Sequence, residues 1–177
     1  MRITDRLLCA FVVFLVLSGC GKKPEERAAE IGKELDAALG SQSWEVAEKK
    51  AQEILAIAKL SDTTRDQARL KLEQAKSEQQ SKLHYQKFAG AAGNDHDSAM
   101  GAYRDMPQNS FYRGLAKNEY ERILPTYVDD HLEKANSAHF NGRCEDAKQQ
   151  IQSVLEVDPQ NQKALDLSKK ACAKKSE

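Results

Sequence analysis

The sequence predicts an all-α protein built from antiparallel helical hairpins. Three observations carry that expectation. Ala, Glu, Lys, Gln and Leu dominate the chain while β-branched residues are few beyond the N-terminal segment, and the dominant types are the strong helix formers. Proline occurs only at 24, 107, 125 and 159. No stretch after residue 25 alternates polar and apolar residues as a half-buried strand does; apolar residues return every third or fourth position, along one face of a helix.

The breaks place the elements. Residues 24–39 form a first helix, with Pro24 in its first turn and Ala28, Ile31, Leu35 and Ala38 along one face. Ser43 is placed to cap a second, running to about Lys59 with Trp44, Ala47, Ala51, Ile54, Leu55 and Ala58 inward. The run "SDTT" (61–64) caps a third, which carries Ala68, Leu72 and Ala75, then the polar run "KSEQQSK", expected in solvent, then Leu83, Tyr85 and Phe88. "GAAGNDHDS" reads as a long loop. A short helix over 98–106 stops before Pro107, and Ser110 caps a long segment to Phe140 that Pro125 is expected to kink or break. A helix over 144–157 and a last one from Asn161 complete the chain.

The N-terminus has a different character. Arg2 and Arg6 precede an apolar run from Leu7 to Leu17, too short for the roughly 20 residues that span a bilayer, and small residues follow it. That is the pattern of a signal peptide. Leu17-Ser18-Gly19-Cys20 resembles the lipobox of bacterial lipoproteins. The resemblance implies removal of residues 1–19, acylation of Cys20 and a lipid-anchored chain behind the short tether 20–24, held stably because it carries more than one acyl chain. Gly21, where an aspartate would imply inner-membrane retention, leans the expectation towards the outer membrane, facing the periplasm.

The whole chain carries 27 basic and 27 acidic residues, and losing Arg2 and Arg6 against Asp5 leaves the mature chain one unit negative. A clustered basic surface is what a general grip on nucleic acid requires, so no nucleic-acid partner is expected.

Residues 128–161, "VDDHLEKANSAHFNGRCEDAKQQIQSVLEVDPQN", have the 34-residue length of the tetratricopeptide (TPR) repeat and resemble it position by position. Ala135 and Ala138 are small where two helices must approach closely. Gly142 makes the turn, Ala147 lies at the crossing, Ile151, Val154 and Leu155 pack, and "DPQN" closes the unit. Residues 28–61 look like a weaker copy, with Leu35, Ala38, Trp44, Ala47, Ala51 and Ile54 at equivalent places and Ala58-Lys59 in place of the closing Asp-Pro. Residues 96–110 resemble a second helix cut short, and 162–175 the solvating helix that caps such arrays. The implied architecture is a short TPR-like solenoid over residues 25–177 with a C-terminal capping helix.

In that register Cys144 opens the second helix of the unit, and Cys172 lies about three turns along the next, antiparallel helix, at the same end of the stack. In a secreted chain the pair is expected to form a disulfide.

Chemistry is sparse. Asp95-His96-Asp97 has metal-binding residue types, but adjacent side chains diverge and no other ligand cluster accompanies them, so a solvated loop is expected. His131 and His139, eight apart on one helix, are too distant to share an ion. There is no Gly-rich phosphate loop, serine nucleophile elbow or paired catalytic thiol. The expectation is a non-enzyme without cofactor, metal or small-molecule substrate.

The TPR resemblance implies instead a concave face lined by first helices that binds a segment of another protein. Its positions here are Asp129, Leu132, Asn136, His139 and Phe140. Asn136 matches a polar groove position that some members use on peptide backbones or carboxylates, while Leu132 departs from the lysine of carboxylate-clamp versions. Tyr103, Phe111, Tyr112 and Tyr120 are expected mostly in the core. Two functions follow: a membrane-anchored adaptor or assembly scaffold of the bacterial cell envelope that binds other envelope proteins or peptide segments, or a structural envelope lipoprotein with no dedicated groove.

Overall fold

The structure, a computed structural model, describes residues 22–170. The lipobox with Cys20, and Cys172 with the end of the capping helix, lie outside the described residues. Within them the chain is all-helical: α1 (Pro24–Gly40), α2 (Trp44–Leu55), α3 (Asp62–Ala91), α4 (His96–Asp105), α5 (Phe111–Phe140), α6 (Cys144–Val157) and α7 (Gln162–Lys170).

Their packing is nearly one-dimensional. Every extensive contact joins helices no more than two places apart in chain order, as in a stack whose units meet only their neighbours. Trp44, whose indole N–H donates to the Tyr112 hydroxyl at 3.2 Å, reaches further, from α2 to α5. Three small cores result. Ala28, Leu35, Ala38, Ala47, Ala51, Ile54, Ala68 and Ala75 join α1, α2 and the first half of α3. Phe88, Met100, Tyr103, Met106, Ala116, Ile123 and Tyr127 fill the middle. Leu132, Ala135, Ile151, Val154, Ala164 and Leu167 join α5, α6 and α7. The two long helices are shared beams: α3 serves the first two cores and α5 the last two.

The outer hairpins are equivalent bond for bond. In the α1–α2 turn the Ser41 N–H donates to Ala37 O, Gln42 to Leu39 O and Ser43 to Ala38 O; in the α5–α6 turn Asn141 donates to Ser137 O, Gly142 to His139 O and Arg143 to Ala138 O. Each turn has one left-handed residue, Gln42 (φ 57°) and Gly142 (φ 74°). Ala38 and Ala138, Ala47 and Ala147, Ile54 and Val154 are buried pair by pair, small where the helices cross and larger further along. The following helices are also capped alike: Ser61 Oγ accepts from the Thr64 N–H (3.3 Å) and Asn161 Oδ1 from the Ala164 N–H (3.1 Å).

Several expectations are corrected. The second helix ends at Leu55, and the chain then turns through Lys59 at φ 61° to bury Leu60. Ser43 stands at the N-cap position of α2 without a side-chain cap bond. The polar run 76–82 is not all in solvent: Glu78 and Ser81 are buried where the N-terminus of α5 docks. Glu78 accepts from the Ser110 hydroxyl and the Phe111 N–H, both at 3.0 Å, and so caps a helix other than its own. Leu83, beyond that run, is exposed.

The "GAAGNDHDS" segment is mostly helical, since α3 continues to Ala91 and α4 starts at His96, with Asp95 Oδ1 accepting from Ser98 N–H at 3.0 Å. Pro125 does not break α5. It is exposed, as is Glu121 one turn back, so the carbonyl that loses its donor faces water. Of the four aromatic residues expected mostly in the core, Tyr103 is buried and stacks on Tyr120 at 3.9 Å, Tyr112 and Tyr120 are half-buried against the same core, and Phe111, also half-buried, packs edge to face on Tyr112 outside it. Burial pushes the phenols of Tyr120 and Tyr127 up from their ordinary values.

Candidate interaction site

The residues expected to line a groove lie on the second half of α5, and the fold separates them into two groups. Leu132, Asn136 and His139 face α7 and, with Lys163, Asp166, Leu167 and Lys170, line an open groove of about 420 Å³. Asp129 and Phe140 are exposed but do not line it. Phe140 is 90% exposed at the end of the hairpin.

The floor of this groove is apolar because Leu132 and Leu167 both belong to the third core. Its first wall follows from helical spacing, which sets Leu132, Asn136 and His139 on one face of α5. The Asn136 amide donates to the Leu132 carbonyl at 2.9 Å and so is turned along its own helix. The second wall is placed by the turn after α6: the Asp158 N–H donates to the Val154 carbonyl at 2.8 Å, and the Asn161 cap starts α7 at once.

An equivalent groove of about 280 Å³ lies between α1 and α3, and Gly32, Asp36 and Gln67 stand in it where Leu132, Asn136 and Leu167 stand in the other. That first groove is bridged from wall to wall. Asp36 pairs with Lys71 at 2.5 Å, and Glu25 accepts from the Ser61 N–H (2.6 Å) and the Thr64 hydroxyl (2.7 Å). The two tying acids have no counterpart in the other hairpin, where Pro125 and Asn136 take their places. Among the described residues no ion pair crosses from α5 to α7, Asp166 pairs with Lys169 on its own helix at 3.4 Å, and Lys163 and Lys170 have no ion-pair partner. A larger groove of about 540 Å³ between α5 and α6 is lined, Ala138 apart, by polar residues of both signs, including the Arg143–Asp146 pair at 3.2 Å.

His131 lies inside the fold. It is 4% exposed, with Nε2 2.7 Å from Asp97 Oδ1 and Nδ1 2.6 Å from Gln150 Oε1, and its ring lies 4.2 Å from that of Tyr127. It therefore bolts α4 and α6 to α5. The Asp95-His96-Asp97 stretch is solvated at both acids, as expected, but it is a helix start and not a loop: Asp95 caps α4, and Asp97 holds this histidine. A signal for its inward position was present, because the equivalent residue of the first hairpin is Ile31, on the apolar face of α1. Among the described residues no group of three His, Cys, Asp or Glu side chains is placed to hold a metal ion, and no helix is long and apolar enough to cross a membrane. Cys144 is disulfide-bonded; Cys172 lies outside the described residues.

Comparison with protein-family models, with curated proteins and with solved structures finds no match for the chain.

Proposed function

We propose that this protein is a lipid-anchored adaptor of the bacterial cell envelope, TPR-like in organisation, that holds a segment of a partner protein in the groove between α5 and α7. The observation that carries the reading is the contrast between two equivalent grooves. One is bridged by the Asp36–Lys71 pair and by Glu25 of α1 bonding to Ser61 and Thr64 at the start of α3, as a structural contact is; across the other, among the described residues, no ion pair runs from α5 to α7, and Lys163 and Lys170 flank its apolar floor without an ion-pair partner. A recessed apolar floor rimmed by polar groups is the form a peptide-binding groove takes. The envelope address rests on the lipobox resemblance at Cys20.

A photo-crosslinking side chain placed at His139 in cells tests the proposal, with Ala29 of the bridged groove as reference. The adaptor reading expects a discrete protein adduct from position 139 and none from 29. If adducts are absent at 139 while the protein is folded and membrane-bound, the groove has no dedicated partner and the purely structural lipoprotein is the better account.

A further inference from the structure

The charge of the open groove narrows the kind of segment it takes. Its walls present Lys163, Lys170 and His139, and its single acid, Asp166, is already engaged by Lys169 at 3.4 Å. Lys163 and Lys170 are seven positions apart on α7, two turns along one face and about 10 Å from each other along the axis. The spacing suits two carboxylates three residues apart in a polyproline-II-like extended chain, which rises about 3.1 Å per residue and returns residues i and i+3 to one face. Between the two charges lies Leu167, so an apolar residue between the acids would rest on the Leu132–Leu167 floor.

We propose that the α5/α7 groove takes an internal acidic segment of the partner, in which carboxylates about three residues apart pair with Lys163 and Lys170 and an apolar side chain between them covers Leu132 and Leu167. The proposal rests on the adaptor reading and specifies its ligand. An anionic membrane surface is the competing occupant of the same chemistry. It is disfavoured because a flat surface cannot reach the Leu132–Leu167 floor, which is buried between the two walls.

The test uses the full chain in neutral detergent and a fluorescent, C-terminally amidated peptide of repeated Leu-Glu-Glu triplets, with a Leu-Lys-Lys peptide for comparison. Saturable binding of the acidic peptide alone is expected, weakening as salt is raised. The double variant Lys163→Glu, Lys170→Glu should weaken it at least tenfold. Lys49→Glu with Lys87→Glu, the same change of charge at two exposed lysines away from the groove, should leave it within twofold. All four positions are exposed, so each variant should keep its helix content, which circular dichroism checks. The proposal is overturned if the acidic peptide fails to saturate, if both double variants weaken binding equally, or if only phosphatidylglycerol vesicles bind. A crosslinked adduct at position 139 that survives the Lys163→Glu, Lys170→Glu change would overturn the acidic ligand and leave the adaptor standing.

Discussion

Gln42 and Gly142 occupy the same place in two hairpin turns one hundred positions apart, and both hold a positive φ, 57° and 74°. Only one of them is a glycine. The left-handed conformation costs a residue with a Cβ about 1–2 kcal/mol, and glycine about nothing sterically, although glycine gives up more chain entropy on folding. An added Cβ at Gly142 meets no atom within 4 Å, so the penalty there is one of backbone alone. Gly142→Gln should therefore destabilise the protein by about 1 kcal/mol, and Gln42→Gly should stabilise it by up to about 1 kcal/mol. Opposite shifts of the urea midpoint check the pair. Equal signs would mean that the two turns are not equivalent.

Glu78 is the buried acid on which the docking of α5 depends. Glu78→Ala leaves the Ser110 hydroxyl and the Phe111 N–H without their acceptor, in a place shielded from water, and should cost about 2–3 kcal/mol. Glu78→Gln keeps one carbonyl oxygen there and should cost less. Chemical denaturation orders the three proteins. A Glu78→Ala variant as stable as the parent would show that water replaces the carboxylate.

That residue also marks where the sequence stops being legible. Helix existence, the Ser61 and Ser110 caps and the Ala47 and Ala147 crossings are local properties of spacing, and the structure repeats them. Glu78 and Ser81 sit in a run with no apolar residue between Ala75 and Leu83, so periodicity assigns them to solvent; only the arrival of α5 from thirty positions away makes their burial sensible. The groove was half legible. Helical spacing put Leu132, Asn136 and His139 on one face, but Lys163 and Lys170 come from α7, and no pattern within α5 announces them. His131 was missed because its partners, Asp97 and Gln150, lie on two other helices.

Glu25 links the start of α1 to the start of α3, and the Ser61 N–H and Thr64 hydroxyl that it accepts hold its carboxyl below the ordinary value of 4.5. A lowered carboxyl favours folding in its ionised form. The contribution is thus complete above the ordinary carboxylate range and is lost as pH falls through the lowered value. Glu25→Gln should melt below the parent at pH 7, and the gap should narrow towards pH 3. A gap independent of pH would assign the effect to packing instead of charge.

The anchor is tested at the other end. Cys20→Ser should abolish metabolic labelling with palmitate and release the protein from membranes. Continued membrane association with a normally processed signal would remove the lipoprotein reading and the envelope adaptor with it.

The disulfide at Cys144 sits at the first residue of α6, beside the Gly142 turn. With Cys172 as partner, the bond ties the last helix back onto the hairpin and closes a loop of about thirty residues, for which chain entropy predicts roughly 3–4 kcal/mol. The end of a stack has one neighbour where interior helices have two, so the loss should be local before it is global. Amide exchange of the Cys144→Ala protein should quicken first over Gln162–Lys170, with Pro24–Ala91 almost unchanged, and Cys172→Ala should give the same pattern. With Cys20 replaced, the oxidised parent should contain no reactive thiol among its mature residues. Two reactive thiols, or exchange that quickens evenly along the chain, would mean that the terminal helix is held by its Ala164 and Leu167 contacts alone.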